Sequence, residues 1–84
     1  MIEIWGKPAC PHCDQAKQFC ETREFKYVYK QLDVDFTREE VFENFPGART
    51  FPQIKVNSKI IGSKDDFFKY VEDTGYTGSG HSLS

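Results

Sequence analysis

Two cysteines three positions apart, Cys10 and Cys13, stand in the segment GKPACPHC. A pair at this spacing can form a structural disulfide, half of a zinc site or a redox centre. The three hypotheses require different surroundings: an oxidising compartment, two further metal ligands, or a position that favours a reactive thiolate. The rest of the sequence distinguishes between them.

A zinc site needs two more ligands beside the cysteine pair, and the sequence supplies poor candidates. Cys20 is expected on a buried helix face, His12 lies between the two cysteines, and His81 stands in a Gly/Ser-rich tail. The chain has no second C-x-x-C and no H-x-x-x-H pair. No metal site is therefore predicted.

A static disulfide is disfavoured by the cysteine count and by the expected compartment. There are three cysteines, an odd number, and residues 1–8 carry an acid at Glu3 rather than the apolar run of a signal peptide. No segment approaches the roughly 18 apolar residues of a membrane span. We therefore expect a cytoplasmic protein, and thiols in that compartment are kept reduced. A redox role for the pair is the hypothesis that this reasoning favours.

Length and composition limit the class of protein. The 84 residues are enough for one small domain, and the aromatic residues (eight Phe, four Tyr and one Trp) are too many for a disordered chain. The net charge of -2 gives no broad positive field, so neither nucleic acid nor an anionic membrane surface is an expected partner. A monomer is the expected state.

The pattern around the cysteine pair predicts a strand followed by a helix. Residues 2–5, IEIW, have the composition of a short strand, and a proline can occupy the first turn of a helix over about residues 11–23. Cys13, Ala16 and Cys20 are spaced as one face of that helix. Cys20 is therefore predicted to be a buried core thiol.

Cys10 falls where this helix begins. Free backbone N–H groups and the positive end of the helix dipole face its sulfur there, and both favour thiolate over thiol. Cys13 lies one turn further along, within reach of a disulfide after small backbone shifts. These positions predict that Cys10 supplies a nucleophilic thiolate and that the pair can open and close as a disulfide without refolding.

The middle of the chain predicts a second strand and a second helix. The segment FKYVYKQLDVD is rich in aromatic and β-branched residues, which favour a strand. Thr37 with Glu40 forms a capping box, and Val41, Phe42 and Phe45 give the following helix an apolar face.

Two short strands and a helix complete the domain. An Asn-Ser link joins the strands PQIKV and KIIGS in a hairpin, and Ser63 with Asp66 caps a helix that ends at Gly75. The order β-α-β-α-β-β-α predicts an α/β protein with a thioredoxin-like fold, in which helices flank a four-stranded mixed sheet. The domain is expected to span residues 1–75, followed by a flexible Gly/Ser-rich tail over residues 76–84.

Two segments and the element order resemble the glutaredoxin family over residues 2–73. The segments are KPACPHC and GARTFPQIKVNSKIIGSKDDF. Glutaredoxins usually carry C-P-Y-C, a T-V-P bend with a cis proline, and a G-G-x-x-D segment that opens the last helix. This chain departs from those patterns at His12, Phe51 and Ser63. The resemblance implies a dithiol glutaredoxin with a CPHC variant of the motif.

The resemblance also implies a groove for glutathione. Lys7 would contact the glycine carboxylate, and the backbone of Phe51, beside a cis Pro52, would pair with the cysteinyl part like an added strand. The start of the last helix would bind the γ-glutamyl end through its N–H groups and an aspartate. The implied binding residues are Lys7, Thr50, Phe51, Pro52, Lys64, Asp65 and Asp66.

The function implied by the resemblance is reduction of protein disulfides and of protein–glutathione mixed disulfides, with glutathione as the reducing co-substrate. The catalytic residues would be Cys10, Cys13 and His12, whose imidazole can favour the Cys10 thiolate by a hydrogen bond or by positive charge. Ribonucleotide reductase is a candidate protein substrate at the level of the family.

Three alternatives stay open at this point. The same fold permits electron supply by thioredoxin reductase, although Lys7 and the segment GSKDD favour glutathione. An iron–sulfur glutaredoxin shares a cluster between two chains, although Pro11 is unusual after the first cysteine in that class. C-P-H-C also occurs in periplasmic oxidases, which carry a signal peptide and a helical insert that this sequence does not show.

Overall fold

The computed structural model describes residues 1–76 and has the predicted order of elements within them. The sheet is four-stranded and mixed, and helices flank it, which confirms the predicted thioredoxin-like fold. The elements are β1 (Ile2–Gly6), α1 (Pro11–Thr22), β2 (Tyr27–Gln31), α2 (Arg38–Asn44), β3 (Gln53–Val56), β4 (Lys59–Gly62) and α3 (Lys64–Thr74).

The strands lie in the order β2-β1-β3-β4. β1 and β2 are parallel and are connected through α1, whereas β3 is antiparallel to both of its neighbours. Asn57 and Ser58 form the predicted hairpin link, and both have positive φ angles, 51° and 69°, as a tight two-residue hairpin turn requires. β1 therefore lies inside the sheet and leads directly to Cys10.

Two hydrophobic cores occupy the two faces of the sheet. Side chains alternate along β1, so that Ile2 and Ile4 pack with α1 and α3 while Trp5 points to the opposite face. Cys20 is fully buried in the first core, which confirms its predicted role as a core thiol. The second core, on the side of α2, contains Trp5, Leu32, Phe36, Val41 and Phe45.

Helix starts agree with the predicted caps. Thr37 and Ser63 are the N-caps of α2 and α3, and each forms a complete capping box with the acid three residues later. Gly75 ends α3 in the left-handed conformation, with φ 66°. These short-range signals depend on residues within one turn of each other, which is why the sequence reveals them.

Two sequence-based expectations differ from the structure in extent. β2 is shorter than the predicted segment, because the chain turns at Asp33 (φ 66°) and the Asp35 carboxylate accepts the Gln31 N–H at 2.9 Å. Phe42 is 50% exposed rather than part of the buried face of α2. A helix of seven residues buries only a narrow stripe, and Val41 and Phe45 occupy it.

The end of α3 is followed by one described residue of the predicted tail. Tyr76 packs its ring against Phe25 and Tyr70, with centroid distances of 5.4 and 6.2 Å. The rest of the predicted tail, residues 77–84, lies outside the described residues. Between residues 1 and 76, no helix has the length and apolar character needed to cross a membrane.

Candidate active site

The Cys10 sulfur is held at the amino end of α1. Ala9 has a positive φ of 54°, and Cys10 is the extended N-cap residue of the helix. The Cys13 N–H donates to Cys10 Sγ at 3.2 Å, so the sulfur takes the place of a capping oxygen. A thiolate there accepts a backbone hydrogen bond and faces the positive end of the helix dipole. The structure thus places the Cys10 sulfur at the hydrogen-bond donors of a helix start.

The Cys13 thiol has the opposite environment. It is fully buried, and burial is the main reason why its pKa rises from 9.0 to about 12; hydrogen bonding to Cys10 and the Cys10 charge add to the rise. Hydrogen bonds to the Lys7 backbone and the Tyr29 hydroxyl oppose the rise in pKa. Cys10, Cys13 and Cys20 are all free thiols. Cys13 is therefore a protonated thiol at neutral pH, next to the Cys10 sulfur.

Tyr29 of β2 is a neighbour of this pair that the sequence did not indicate. Its hydroxyl donates to the Lys7 carbonyl at 3.5 Å, and the same hydroxyl opposes the rise in the pKa of Cys13. Burial, followed by the Cys13 charge, raises the pKa of Tyr29 to about 12, so it stays a hydrogen-bond donor. A Cβ at Gly6 would lie 2.5 Å from this hydroxyl, so the tyrosine can reach the site only beside a glycine.

A cavity of about 400 Å³ opens over Cys10. Lys7 lies at its edge, with Nζ 6.0 Å from the centre of the Phe51 ring. Arg38 and Arg49 also line it, although neither was predicted from the sequence. Arg49 directly precedes the Thr-Phe-Pro bend, and this position in the sequence could have indicated that Arg49 lies at the site. Three cations therefore surround the space next to the candidate nucleophile.

A second cavity, of about 210 Å³, continues from the first towards the start of α3. It shares His12, Thr50 and Phe51 with the first cavity, and Lys64 and Asp65 line its far side. Lys64 Nζ donates to Gln15 Oε1 of α1 at 2.6 Å, while the Asp65 side chain is 89% exposed. We call the two joined cavities the Cys10 groove.

Asp66 is turned away from the Cys10 groove. Its Oδ2 accepts the Ser63 N–H at 3.1 Å and the Ser63 hydroxyl at 3.0 Å, within the capping box of α3. The same oxygen would lie 2.6 Å from a Cβ at Gly62, where φ is 120°. The structure thus brings Asp65 into the groove and leaves Asp66 at the helix cap.

Phe51 and Pro52 form the wall of the groove opposite α1. The Phe51–Pro52 peptide bond is cis, as the family resemblance implies. The Phe51 carbonyl oxygen lies 3.9 Å from Cys10 Sγ and accepts from its thiol form. The Phe51 ring stacks on Phe36, with centroids 6.3 Å apart, so this departure from the usual valine enlarges the apolar surface beside the groove. Thr50 also lines this wall, and its carbonyl oxygen accepts from the Gln53 amide at 2.8 Å.

His12 is exposed and lines both cavities of the groove. Within residues 1–76, the partners of Cys10 Sγ are the Cys13 N–H and the Phe51 carbonyl, and the imidazole is not among them. The predicted hydrogen bond from His12 to Cys10 is therefore not formed here, and an effect of His12 on Cys10 stays a prediction.

The part of the chain that the structure describes does not bring potential metal ligands together. No group of three or more His, Cys, Asp or Glu side chains that could hold a metal ion occurs between residues 1 and 76. Cys20 lies in the core beneath α1. The site thus consists of two thiols, a groove and several charged side chains.

Comparison with known proteins gives a consistent result. The glutaredoxin family model matches residues 2–61. A glutaredoxin of Vibrio cholerae is 30% identical over 79 residues, which cover 86% of this chain and 91% of the relative. Glutaredoxin 3 of Escherichia coli is 28% identical over 67 residues, which cover 80% of this chain and 81% of the relative. The structure of reduced Escherichia coli glutaredoxin matches with a TM-score of 0.75 at 29% identity, over 87% of this chain and 94% of that one.

Proposed function

Since the chain belongs to the glutaredoxin family of thiol–disulfide oxidoreductases, we propose that it reduces protein disulfides and protein–glutathione mixed disulfides with glutathione as the electron source. The observation that carries the proposal is the Cys10 groove. Glutathione has a carboxylate at its glycine end and both an ammonium and a carboxylate at its γ-glutamyl end. The groove has cations beside Cys10 and a helix start with Lys64 and Asp65 at its far end.

The two ends of the groove fit the two ends of glutathione. Lys7, Arg38 and Arg49 are suited to the glycine carboxylate, because guanidinium and ammonium groups bind carboxylates by charge-assisted hydrogen bonds. The N–H groups at the start of α3 suit the γ-glutamyl carboxylate, and the exposed Asp65 carboxylate suits its ammonium. Between these ends the glutathione sulfur would lie at Cys10.

The first reaction that we propose needs only Cys10. The Cys10 thiolate attacks the glutathione sulfur of a mixed disulfide, the substrate protein leaves as a thiolate that takes up a proton, and Cys10 becomes glutathionylated. A second glutathione thiolate then attacks the glutathione sulfur bound to Cys10. Oxidised glutathione leaves, and the Cys10 thiolate is restored.

The second reaction uses both cysteines. Cys10 attacks one sulfur of a protein disulfide, and the other substrate sulfur leaves as a thiolate. Cys13 loses its proton and attacks Cys10 Sγ, which releases the second substrate thiolate and leaves a Cys10–Cys13 disulfide. Two glutathione molecules reduce this disulfide and leave as oxidised glutathione. The Cys13 N–H donates to Cys10 Sγ, which shows that the two residues lie next to each other.

Partners and location follow from this proposal as predictions. Glutathionylated and disulfide-containing proteins are the substrate class, and ribonucleotide reductase is a candidate at the level of the family. A cytoplasmic location and a monomeric state, both expected from the sequence, stay predictions.

Enzyme assays with two alternative reductases test the electron source. The substrate is the mixed disulfide of glutathione and 2-mercaptoethanol, and NADPH consumption is followed with glutathione plus glutathione reductase or with thioredoxin reductase alone. We expect turnover in the first assay and background rates in the second. Turnover only with thioredoxin reductase would contradict glutathione dependence. Visible absorption of the isolated protein that disappears on chelation would favour the iron–sulfur alternative.

A further inference from the structure

A third cavity, of about 300 Å³, lies beside the Cys10 groove, between α2 and the chain that leads to Pro52. Neither Cys10 nor Cys13 lines it, so it is not the place where sulfur chemistry occurs. We call it the α2 pocket. Its lining combines apolar and basic residues: Val41, Phe42, Ala48, Phe51, Arg38 and Arg49.

The α2 pocket is continuous with the groove. Arg38, Arg49, Thr50 and Phe51 line both spaces. The two spaces therefore meet at the cationic end of the groove. A chain that lies in the groove with its cysteine at Cys10 can continue from there into the pocket.

Glutathione does not supply a group that fills this pocket. In the proposed complex its glycine lies at the cationic end of the groove, and glycine has no side chain. The chain of glutathione also ends there, whereas the chain of a protein substrate continues beyond its reactive cysteine. An occupant of the pocket must therefore come from a protein.

The pocket wall includes an apolar side chain that the domain leaves uncovered. Phe42 is 50% exposed, in contrast to its neighbour Val41, which is 2% exposed. Phe51, which also lines the pocket, is only partly buried. Two aromatic rings that line one cavity favour a large apolar side chain between them, because apolar and aromatic pairs gain from burial.

The charges around the pocket favour an acidic partner. Two arginines line it and no acidic residue does. Among residues 1–76, the recorded ion pairs are Lys17 with Asp14, Lys30 with Glu3, and Lys64 with Asp65, so neither arginine is neutralised by an acid of the domain. An arginine that faces solvent binds carboxylates in a bidentate manner.

We propose that the α2 pocket binds protein substrates through a large apolar side chain flanked by acidic residues, located shortly after the substrate's reactive cysteine. The proposal rests on the proposed function, which sets the direction of the substrate in the groove. An extended chain advances about 3.3 Å per residue, so the apolar residue is expected about two to four positions after the cysteine. Phe42 and Phe51 contact this residue, and Arg38 and Arg49 pair with the flanking carboxylates.

The test uses one small substrate and three peptides, each with its cysteine in a mixed disulfide with 2-mercaptoethanol, so that Cys10 attacks the peptide sulfur and no glutathione occupies the groove. The first peptide carries Glu-Phe-Glu after its cysteine and one spacer residue, the second has Ser in place of Phe, and the third has Lys in place of both Glu. The mixed disulfide of glutathione and 2-mercaptoethanol is the small substrate. Phe42→Ala is the variant, and Ile60→Ala is the matched control, because Ile60 is 47% exposed and does not line the pocket or the groove.

We expect the first peptide to have the lowest KM with the unmodified protein. Phe42→Ala should raise that KM about five- to tenfold, which corresponds to the loss of one aromatic contact at an interface. The KM of the Ser peptide and of the small substrate should stay the same, and Ile60→Ala should change none of them. Equal KM values for the three peptides, or equal effects of the two variants, would overturn the proposal.

Direct binding separates this proposal from the proposed function. A peptide with Glu-Phe-Glu and Ser in place of its cysteine cannot react, so its binding to the protein, followed by NMR, does not depend on glutathione chemistry. Shifts at Ala48, Arg49 and Thr50 that disappear in Phe42→Ala support the pocket even if the small substrate is not turned over. No binding, together with a dimer in sedimentation that Phe42→Ala dissociates, would instead identify a second copy of the chain as the occupant.

Discussion

At the scale of single residues, the two active-site sulfurs differ although both residues are buried, because Cys10 lines the groove at the helix start and Cys13 does not line it. Cys10 accepts the Cys13 N–H at the helix start, where an anion is stabilised. Cys13 lies under that turn, and burial raises its pKa to about 12. The same four-residue motif thus supplies one sulfur at the helix start, which lines the groove, and one buried sulfur that keeps its proton.

The division of labour between the cysteines can be tested by serine substitution. Cys10→Ser should abolish all thiol transfer, because no other cysteine lines the groove. Cys13→Ser should retain reduction of glutathione mixed disulfides and lose reduction of protein disulfides, since only the second reaction needs an internal resolving thiol. Loss of both activities in Cys13→Ser, measured with glutathione reductase, would contradict the two reactions proposed above.

Tyr29 should affect the resolving step alone. Its hydroxyl opposes the rise in the pKa of Cys13, so it stabilises the thiolate that must form before attack on Cys10. Tyr29→Phe should slow resolution about tenfold, the size expected for one hydrogen bond to a charged group. The measurement is release of thionitrobenzoate from a protein whose Cys10 carries that group. Tyr27→Phe is the control, because Tyr27 lies on the same strand and its hydroxyl donates to the Glu21 carboxylate of α1 at 2.7 Å. An equal effect of the two substitutions would contradict the role assigned to Tyr29.

The same experiment has a pH dependence with a definite sign. The pKa of Cys13 is about 12, so its thiolate fraction increases with pH throughout the neutral range. The rate of thionitrobenzoate release should therefore rise from pH 7 to pH 9, by at most about tenfold per unit. A rate that levels off within this range would show that the Cys13 pKa lies within it.

Single residues also show how far the sequence could predict the site. The cysteine roles and Lys7 followed from position and from the family resemblance, and the structure places Lys7 at the groove. Arg38, Arg49 and Tyr29 were missed because each reaches the site from another segment. The contribution of Arg38 and Tyr29 depends on tertiary packing, which no local spacing encodes, whereas the position of Arg49 next to the Thr-Phe-Pro bend could have indicated it.

At the scale of elements, the start of α3 combines a structural and a binding role in adjacent residues. Ser63 and Asp66 satisfy each other's backbone N–H groups and so fix the helix start. Asp65 is left exposed on the wall of the groove. Position within the first turn therefore decides which of the two carboxylates faces a ligand.

Paired substitutions at these two acids should separate the two roles. Asp66→Asn should lower the free energy of unfolding by about 1 kcal/mol, the usual worth of a helix cap, with little change in the KM for glutathione. Asp65→Asn should leave stability unchanged and raise that KM up to about fivefold, because an exposed ion pair is worth about 0–1 kcal/mol. Urea unfolding and steady-state kinetics measure both effects. Similar results for the two variants would contradict the separation.

Elements were predicted best where their signals are local. Both capping boxes and the Asn57–Ser58 hairpin link depend on residues within a few positions of each other. The predicted β2 extends beyond its actual end at Gln31, because the turn at Asp33 follows a segment of strong strand composition. The exposure of Phe42 was not predicted, since apolar character alone does not show which side chains the sheet covers.

At the scale of the whole molecule, the sheet separates two hydrophobic cores, and the core on the side of α2 adjoins the wall of the groove. Cys20 lies in the core of α1 and α3, whereas Phe36 of the other core stacks on Phe51 at the wall of the groove. The Cys10 groove and the α2 pocket both form where α2 meets the Thr-Phe-Pro bend. Spaces of this kind arise between segments that are distant in sequence, so the fold class was predictable while the pocket was not.

Buried thiols should make the stability of the molecule decline at alkaline pH. Burial raises the pKa of both Cys13 and Cys20 from 9.0 to about 12, so the folded state keeps protons that the unfolded chain loses. The native state therefore binds more protons than the unfolded state above about pH 9, and the free energy of unfolding falls as pH rises. The stabilisation is complete below that pH and is lost as pH approaches 12. The raised pKa values of Tyr27 and Tyr29 act with the same sign at higher pH.

Cys20→Ala isolates one of these thiols, because Cys20 does not line the groove. At neutral pH we expect it to lower the free energy of unfolding by about 1 kcal/mol, the common size of single-site effects, with activity retained. Between pH 9 and 11 its unfolding free energy should fall less steeply than that of the unmodified protein, by up to about 1.4 kcal/mol per pH unit, since one proton fewer is released on unfolding. Urea unfolding under reducing conditions at four pH values measures both slopes. Parallel slopes would show that the Cys20 thiol ionises alike in the folded and unfolded states.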